Sequence, residues 1–447
     1  MSEDPGAIAI TGIGVISPYG AQSKTAPRRA GNPARSRLSG GSGCTAFKID
    51  WPPSNGISSL SVGLDSLQAG LLAGRSCLQP CRGYYPGFAG SVASAGQLPP
   101  VEFRADFRLS RTDHLAALAG QDAFASLGGG CAGLQDAGVV MATTVAGLSE
   151  IEPEIVHDPA GWYRHGGLAR AASYPVAHVA DALGESLGLG GPRCAVTVAC
   201  ASGAISIALA ANMLLDGVTD VMLAGGSDAL CPFTLSGFGA LQALDSGPCR
   251  PFDKSRAGLN LGEGAAVLVL ETLAHASARH APIFAILRGW AMTNDAYHPT
   301  APDEKGAGLA ACMTSAMETA GVNPDDIGYV NAHGTGTPLN DAAETKAYET
   351  AFRGRSRPIP VSSTKSYFGH CLGAAGALEA AVTICAIRAG TLFPTLRLND
   401  PIDSPAIDWL KDAPRRQPLP LAMSVSAGFG GSNAALIFGE GFGEAAV

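Results

Sequence analysis

The stretch Arg193-Cys194-Ala195-Val196-Thr197-Val198-Ala199-Cys200-Ala201-Ser202-Gly203 decides how this chain folds. Cys194, Val196 and Val198 alternate with Ala195, Thr197 and Ala199, the period of a strand. Gly203 then opens an Ala-rich helical segment, and no residue from Cys194 to Leu215 is charged. A run of that length meets the requirement of a membrane span. Thr197, Ser202, Gly203, Ser206 and Asn212 interrupt it, however, so it reads as a buried strand followed by a buried helix. The same pattern returns later. Val361-Ser362-Ser363 leads through a loop to His370, then Gly373 and another Ala-rich helix. Each half places a reactive side chain three residues before a Gly, at the start of a small-residue helix. Two such halves packed face to face bring both helix starts towards one centre.

Outward from this pair, Ala7–Ile16 reads as an opening strand ending in a Gly turn. Val139–Thr144, Asp220–Leu223, Ala265–Leu270, Pro282–Leu287, Ile327–Asn331, Ile359–Ser363 and Ala434–Phe438 are further strand candidates among helical stretches. Alternating β and α elements predict an α/β protein with sheets covered by helices. Residues 21–66 break the pattern: Arg28, Arg29, Arg35 and Arg37 sit among Pro, Ser, Gly and Asn with no apolar period, which predicts a surface insertion, partly disordered. Order resumes at Leu67.

The 447 residues are 46% hydrophobic and 15% charged, with 58 Gly, 11 Cys and a net charge of −8. The charged share lies below the roughly 25% of ordinary soluble domains, and such a composition opposes disorder. The acidic balance excludes wholesale nucleic-acid binding. An odd number of scattered cysteines in a long chain is no disulfide framework, and the acidic N-terminus has no secretory charge pattern. The expectation is a cytoplasmic protein with reduced thiols and no membrane span.

Cys200 is the strongest nucleophile candidate, because a helix N-terminus lowers a thiol pKa and the flanking alanines leave the sulfur room. A small buried hydrophobe is the ordinary alternative for a free Cys. His333 lies in Asn331-Ala332-His333-Gly334-Thr335-Gly336-Thr337-Pro338, too Gly-rich for regular structure, and His370 opens the second helix. Two neutral imidazoles beside a thiolate can donate hydrogen bonds to a developing enolate oxygen and can move protons. Two motifs are decoys. Gly184-Glu185-Ser186-Leu187-Gly188 has the hydrolase spacing but lies in or at the end of a helical stretch, and Gly128–Gly133 precedes a strand rather than following one. Cys77 and Cys81 lack a second pair at metal spacing, so no metal site is expected.

Cys200, His333 and His370, in that order and context, resemble the β-ketoacyl-acyl carrier protein synthases, the condensing enzymes of fatty-acid and polyketide assembly, with the closest look to the type II form. Thr11–Ser17, Arg250-Pro251-Phe252-Asp253, Asp295-Ala296-Tyr297-His298 and Gly428-Phe429-Gly430-Gly431-Ser432-Asn433 extend the resemblance over nearly the whole chain outside 21–66. It implies a thiolase-like, duplicated five-layered α-β-α-β-α sandwich with halves 1–275 and 276–447. It implies Cys200 as acyl acceptor, with His333 and His370 promoting decarboxylation of malonyl-carrier protein. Lys365 and Glu379 match a charged pair that organises the site. Backbone N–H groups of Cys200 and Phe429 match an oxyanion hole, and Phe429 also a gate that Phe238 faces. Thr300, Thr335 and Thr337 match contacts to a phosphopantetheine arm. No cofactor is implied beyond that arm of the acyl carrier protein. The implied assembly is a homodimer, or a heterodimer with a related subunit; a non-catalytic, chain-length-factor-like partner is the alternative reading, and it typically lacks the nucleophile. Three departures stand out: the insertion, Ala427 where Phe is frequent, and Val198 where Thr is usual. The smaller Ala427 implies a changed gate or a roomier acyl channel. Arg104, Arg108 and Arg111 form the candidate docking patch for an acidic carrier protein.

Overall fold

The computed structural model describes residues 7–18, 63–79, 95–98, 109–127, 134–157 and 171–441. The bulk of the 21–66 insertion, Cys81, Arg104, Arg108 and Gly128–Gly133 lie outside these. Residues 64–66 belong instead to the helix α1 (Leu64–Leu72), which starts three residues before the expected return of order because Leu64, Leu67 and Leu71 share one buried face.

Eleven strands form one mixed sheet among the described residues. In chain order they are β1 (Ile8–Ile16), β2 (Gly138–Ala142), β3 (Arg193–Val196), β4 (Val221–Asp228), β5 (Gly264–Thr272), β6 (Ala285–Asn294), β7 (Val330–Asn331), β8 (Ile359–Ser362), β9 (Ile407–Trp409), β10 (Leu421–Gly428) and β11 (Ser432–Glu440). Three antiparallel residue pairs between β1 and β6, Ile8 with Leu287 to Ile10 with Ala285, make a seam. To one side the order is β1-β5-β4-β2-β3, and to the other β6-β11-β10-β7-β8-β9. Each side therefore runs first, fifth, fourth, second, third strand of its own half, antiparallel for two steps and then parallel, with β9 added at one edge.

The strand candidates are strands with shifted ends. Two strands, β9 and β10, were absent from the sequence reading. β10 reads Leu-Ala-Met-Ser-Val-Ser-Ala-Gly, and its alternation is muted because helices and neighbouring strands bury Ala422, Ser424 and Ser426 as fully as Met423 and Val425.

The helices α2 (Arg111–Ala125) and α3 (His178–Leu187) cover the first half, and α5 (Ala307–Ala320) and α6 (Pro338–Ala351) the second; α4 (Ser202–Leu215) and α7 (Ala375–Ala389) pack on each other and on strands of both halves. The layers are helix, sheet, helix, sheet, helix. A helix apolar on every side belongs in such a central layer, and every residue from Ala375 to Ile387 is buried. Leu372–Ala389 is long and apolar enough to cross a membrane, and here it is this core helix.

Glycine sets the spacing of the central pair. A Cβ on Gly203 would lie 2.8 Å from both Ala377 N and Gly373 O, and one on Gly376 2.5 Å from Ala204 N. The two helices touch backbone to backbone at their N-termini, where Cys200 and His370 sit. Alanine ordinarily stabilises a helix relative to glycine, but at Gly203 the overpacking is expected to cost about 1–3 kcal/mol. Urea unfolding of Gly203→Ala should show a lower midpoint; a higher one would mean the helices do not meet here.

Candidate active site

Cys200 stands on a sharp elbow between β3 and α4. Ala199 takes a left-handed φ of 51°, a conformation that L-residues seldom adopt. The Ser202 hydroxyl secures it, accepting from Val198 N–H at 2.8 Å and donating to Ala199 O at 2.6 Å. β10 passes directly over the elbow, for a Cβ on Gly428 would lie 3.1 Å from Cys200 N. The Phe429 N–H is consequently directed at the sulfur.

His333 follows the short β7 in a loop pinned by a buried carboxylate. Glu344, on α6, accepts from His333 N–H at 2.7 Å, Gly334 N–H at 2.8 Å and Tyr348 O–H at 2.5 Å. Lys365 Nζ donates to His333 Nδ1 at 3.1 Å and also contacts the His333 carbonyl and Glu379 Oε1, with Lys365 and Glu379 both buried. Nδ1 of a neutral His333 is thus an acceptor, and its proton is on Nε2.

The backbone of His370 is fixed by its N–H to Asn260 O at 2.7 Å and its O from Gly262 N–H at 2.9 Å. Nδ1 accepts from Leu372 N–H at 3.2 Å, so Nε2 carries the proton, and that atom has no partner among the described residues. Asp228, at the end of β4, gathers Thr143, the Thr144 and Val145 N–H groups and Gly373 N–H at 2.6 Å, tying the first half to the turn after His370. The His333 and His370 rings meet edge to face, centroids 5.3 Å apart.

Burial, and then the Lys365 charge, hold both imidazoles well below the usual histidine range. Both are neutral at pH 7, as the sequence suggested, though burial is the leading cause. For Cys200 the expectation is reversed. Burial pushes its thiol up to about 11, against the opposing pull of Lys365 and the Phe429 N–H. The sulfur does sit at a helix N-terminus, but it is 6% exposed, and desolvation of a thiolate outweighs the terminus. Glu379 and Glu344 are each raised by burial to about 7.

Phe429 stacks on Phe238 with ring centroids 5.6 Å apart. Its loop is tied down on the far side: Gly430 N–H donates to Pro299 O at 2.7 Å, Asp295 N–H to Gly431 O at 2.8 Å, and Asn294 Nδ2 to Gly430 O at 2.9 Å. Thr335 and Thr337 share a 2.9 Å hydroxyl contact in the His333 loop, whereas Thr300 is exposed beside Pro299. The structure thus gathers Cys200, His333, His370, Lys365, Glu379, Phe429 and Phe238, and leaves Thr300 at the rim. Arg111 is no docking residue: its guanidinium holds both oxygens of the buried Glu263, at 2.9 and 2.8 Å, because a cation at that depth needs a carboxylate. Ser186 is inside α3 and donates to Leu183 O. Glu344 and Asp228 escaped the sequence reading, although for Glu344 a carboxylate near a Gly-rich motif is a signal in a chain only 15% charged.

The family profiles described as "Beta-ketoacyl synthase, N-terminal domain" and "Beta-ketoacyl synthase, C-terminal domain" match residues 55–276 and 284–399. The 3-oxoacyl-[acyl-carrier-protein] synthase I, chloroplastic, of Hordeum vulgare is 34% identical over 399 residues, covering 84% of this chain and 85% of that one. The chain belongs to the β-ketoacyl synthase family. The 3-oxoacyl-[acyl-carrier-protein] synthase 2 of Vibrio cholerae serotype O1 is 43% identical over 269 residues, 58% of this chain. The matches span 63% of the Coxiella burnetii synthase 2 and 65% of the Vibrio cholerae one, less than two thirds of either. A β-ketoacyl synthase structure from Burkholderia phymatum superposes with a TM-score of 0.81 at 29% identity, covering 97% of this chain and 99% of that one. The ishigamide ketosynthase/chain length factor gives 0.81 at 27%, covering 98% and 99%. The thiolase-like fold of the family is the five-layered arrangement described above.

With a thiol pKa of about 11, the thiolate share of Cys200 grows about tenfold per pH unit through neutrality. Alkylation of Cys200 by iodoacetamide, followed by peptide mass, is expected to accelerate on that slope with no plateau below about pH 10. A plateau near pH 7 would mean an activated thiolate instead.

Proposed function

We propose that this chain is a 3-oxoacyl-[acyl-carrier-protein] synthase, an acyltransferase that joins an acyl chain held on Cys200 to the carbanion released from malonyl-carrier protein. The observation that carries the reading is a thiol under a backbone N–H, beside two buried neutral imidazoles whose Nε2–H groups are donors. In the first step the Cys200 sulfur attacks the acyl thioester, its proton passes to the departing pantetheine sulfur, and the acyl group moves. In the second step malonyl thioester loses carbon dioxide, and the electron pair of the broken C–C bond goes to the enolate. Nε2–H of His333 and His370 hold its oxygen. The enolate carbon attacks the Cys200 thioester, the tetrahedral oxygen faces the N–H groups of Cys200 and Phe429, and collapse frees the Cys200 sulfur, which takes up one proton.

Covalent capture makes the condensation a reaction between two groups held in one site. Decarboxylation supplies the carbanion without a strong base, which suits histidines held neutral as donors. The reaction calls for no resident cofactor, because both substrates ride on the phosphopantetheine arm, for which Thr335 and Thr337 stand beside His333 and Thr300 at the rim. The reading places the enzyme in the cytoplasm, in keeping with free cysteines throughout the described residues. Among the described residues β3 ends the sheet with an unpaired edge, which suits antiparallel addition of a second copy or of a related subunit. A retained Cys200 assigns this chain to the catalytic side of such a pair.

Incubation with acyl-carrier-protein thioesters is expected to add the acyl mass to the peptide bearing Cys200, and Cys200→Ala to abolish the adduct. His370→Ala should lower condensation with malonyl-carrier protein about 100- to 1000-fold, the usual loss for one oxyanion donor, while the acyl adduct still forms. No adduct from any chain length would refute the proposal.

A further inference from the structure

Cys200, His333 and His370 are 6, 2 and 1% exposed. No acyl thioester reaches the sulfur until part of its surroundings moves. Over the Phe429 side the cover is two facing rings, Phe429 and Phe238. The loop of Phe429 is held by the three hydrogen bonds from Asn294, Asp295 and Gly430 described above. The element that carries Phe238 is tied to its surroundings at its first turn, where Phe233 N–H donates to Glu152 Oε2 at 3.0 Å. It is the nine-residue helix Pro232–Ala240, in which only Thr234 and Leu235 are buried, with Phe233 64% exposed and Leu241, just past its end, 51%.

Phe238 stands in that helix between Gly237 and Gly239. A Cβ on Gly237 would meet nothing within 4 Å, and one on Gly239 only Leu244 Cδ1 at 3.9 Å. Neither residue has a positive φ. Glycine is therefore required here neither by space nor by backbone, in contrast to Gly203 and Gly376. What two glycines do inside a helix is weaken it relative to alanine. Phe238 packs against an apolar cluster that, outside the helix itself, includes Val145, Leu230, Leu259, Leu261 and Leu372, so the space opened by its departure has hydrocarbon walls.

We propose that the helix Pro232–Ala240 is the yielding wall that admits a long apolar acyl chain beside Cys200, and that Gly237 and Gly239 set how readily it yields. The inference rests on the condensing-enzyme reading for the identity of the chain admitted. Gly237 and Gly239 are specificity-determining residues in this view: they govern long chains, while a small group reaches the sulfur by movement of side chains alone.

The test is the double variant Gly237→Ala/Gly239→Ala, in which alanine fits both positions and favours the helix, with the single Gly237→Ala beside it. Cys200 is labelled with iodoacetamide and with N-dodecyl iodoacetamide, read by intact and peptide mass. The expected result is a fall of about tenfold in the dodecyl rate, since stiffening a helix at two glycines shifts its opening by that order, with the iodoacetamide rate within about twofold of the parent. Amide hydrogen exchange over 235–240 should slow together with it. An unchanged dodecyl rate, or equal slowing of both reagents, overturns the proposal. Acetyl and dodecanoyl thioesters of pantetheine form a separate arm. If neither acylates the parent protein, the condensing-enzyme reading fails, and the two alkylating reagents still decide whether the wall yields as proposed.

Discussion

A single ammonium group, Nζ of Lys365, lies 1% exposed between the Glu379 carboxylate, the His333 carbonyl and His333 Nδ1. An isolated cation at that depth would be strongly disfavoured by lost hydration, so the protein can hold it only with these acceptors in place. Much of the site follows from that constraint. Nδ1 of His333 must be a lone pair, which sends its proton to Nε2. The positive charge also opposes protonation of His333 and His370 and draws the Cys200 thiol downward against burial. One cation thus favours neutral donors on one side and a sulfur anion on the other.

The ammonium can act on all three groups because α4 and α7 meet without side chains between them. Gly203 and Gly376 allow the helix starts into backbone contact, and Asp228 fastens the contact from the first half by accepting from Gly373 N–H. The duplicated strand order makes this meeting unavoidable. Each half sends its third strand into a central helix, Cys200 and His370 stand at the two equivalent turns, and the halves face each other. His333 comes from the second strand of the second half, where Glu344 rather than a helix terminus fixes the loop.

The elements that the sequence displayed are those whose chemistry is local. Cys200 before Gly203 and His370 before Gly373 are visible because an elbow needs small neighbours, and the strands around them are visible because β-branched runs alternate. β10 was obscured because both of its faces are buried, and burial on two sides removes the alternation that periodicity detects. Glu344 and Asp228 were hidden for a different reason. Asp228 is assigned its role by N–H groups brought from elsewhere in the fold, such as Gly373 from 145 residues away, which no spacing reports. Glu344 binds the His333 and Gly334 N–H groups only 11 and 10 residues upstream and needs the loop to curl back onto α6. Arg111 shows the converse error. Three arginines close in sequence resemble a surface patch, yet the start of α2 is buried against Glu263, and its charge is spent inside the protein.

The thiol is where sequence and structure disagree most, and the disagreement has chemical content. A helix terminus suggests a thiolate at rest, whereas burial leaves about one sulfur in ten thousand ionised at pH 7 for a pKa near 11. A protonated, enclosed sulfur is poorly reactive towards oxidants, which act on exposed thiolates. The same burial makes the rare thiolate a stronger nucleophile, since nucleophilicity rises with thiol pKa. It also makes Cys200 a poorer leaving group once acylated, so a tetrahedral adduct would tend to collapse backwards unless the departing sulfur were stabilised in place. With the Phe429 N–H taken up by the tetrahedral oxygen on the proposed reading, the Lys365 charge nearby is the feature that opposes this. On the proposed reading, the charge that restrains the pKa of the free thiol is thus also the one that acts when the sulfur departs.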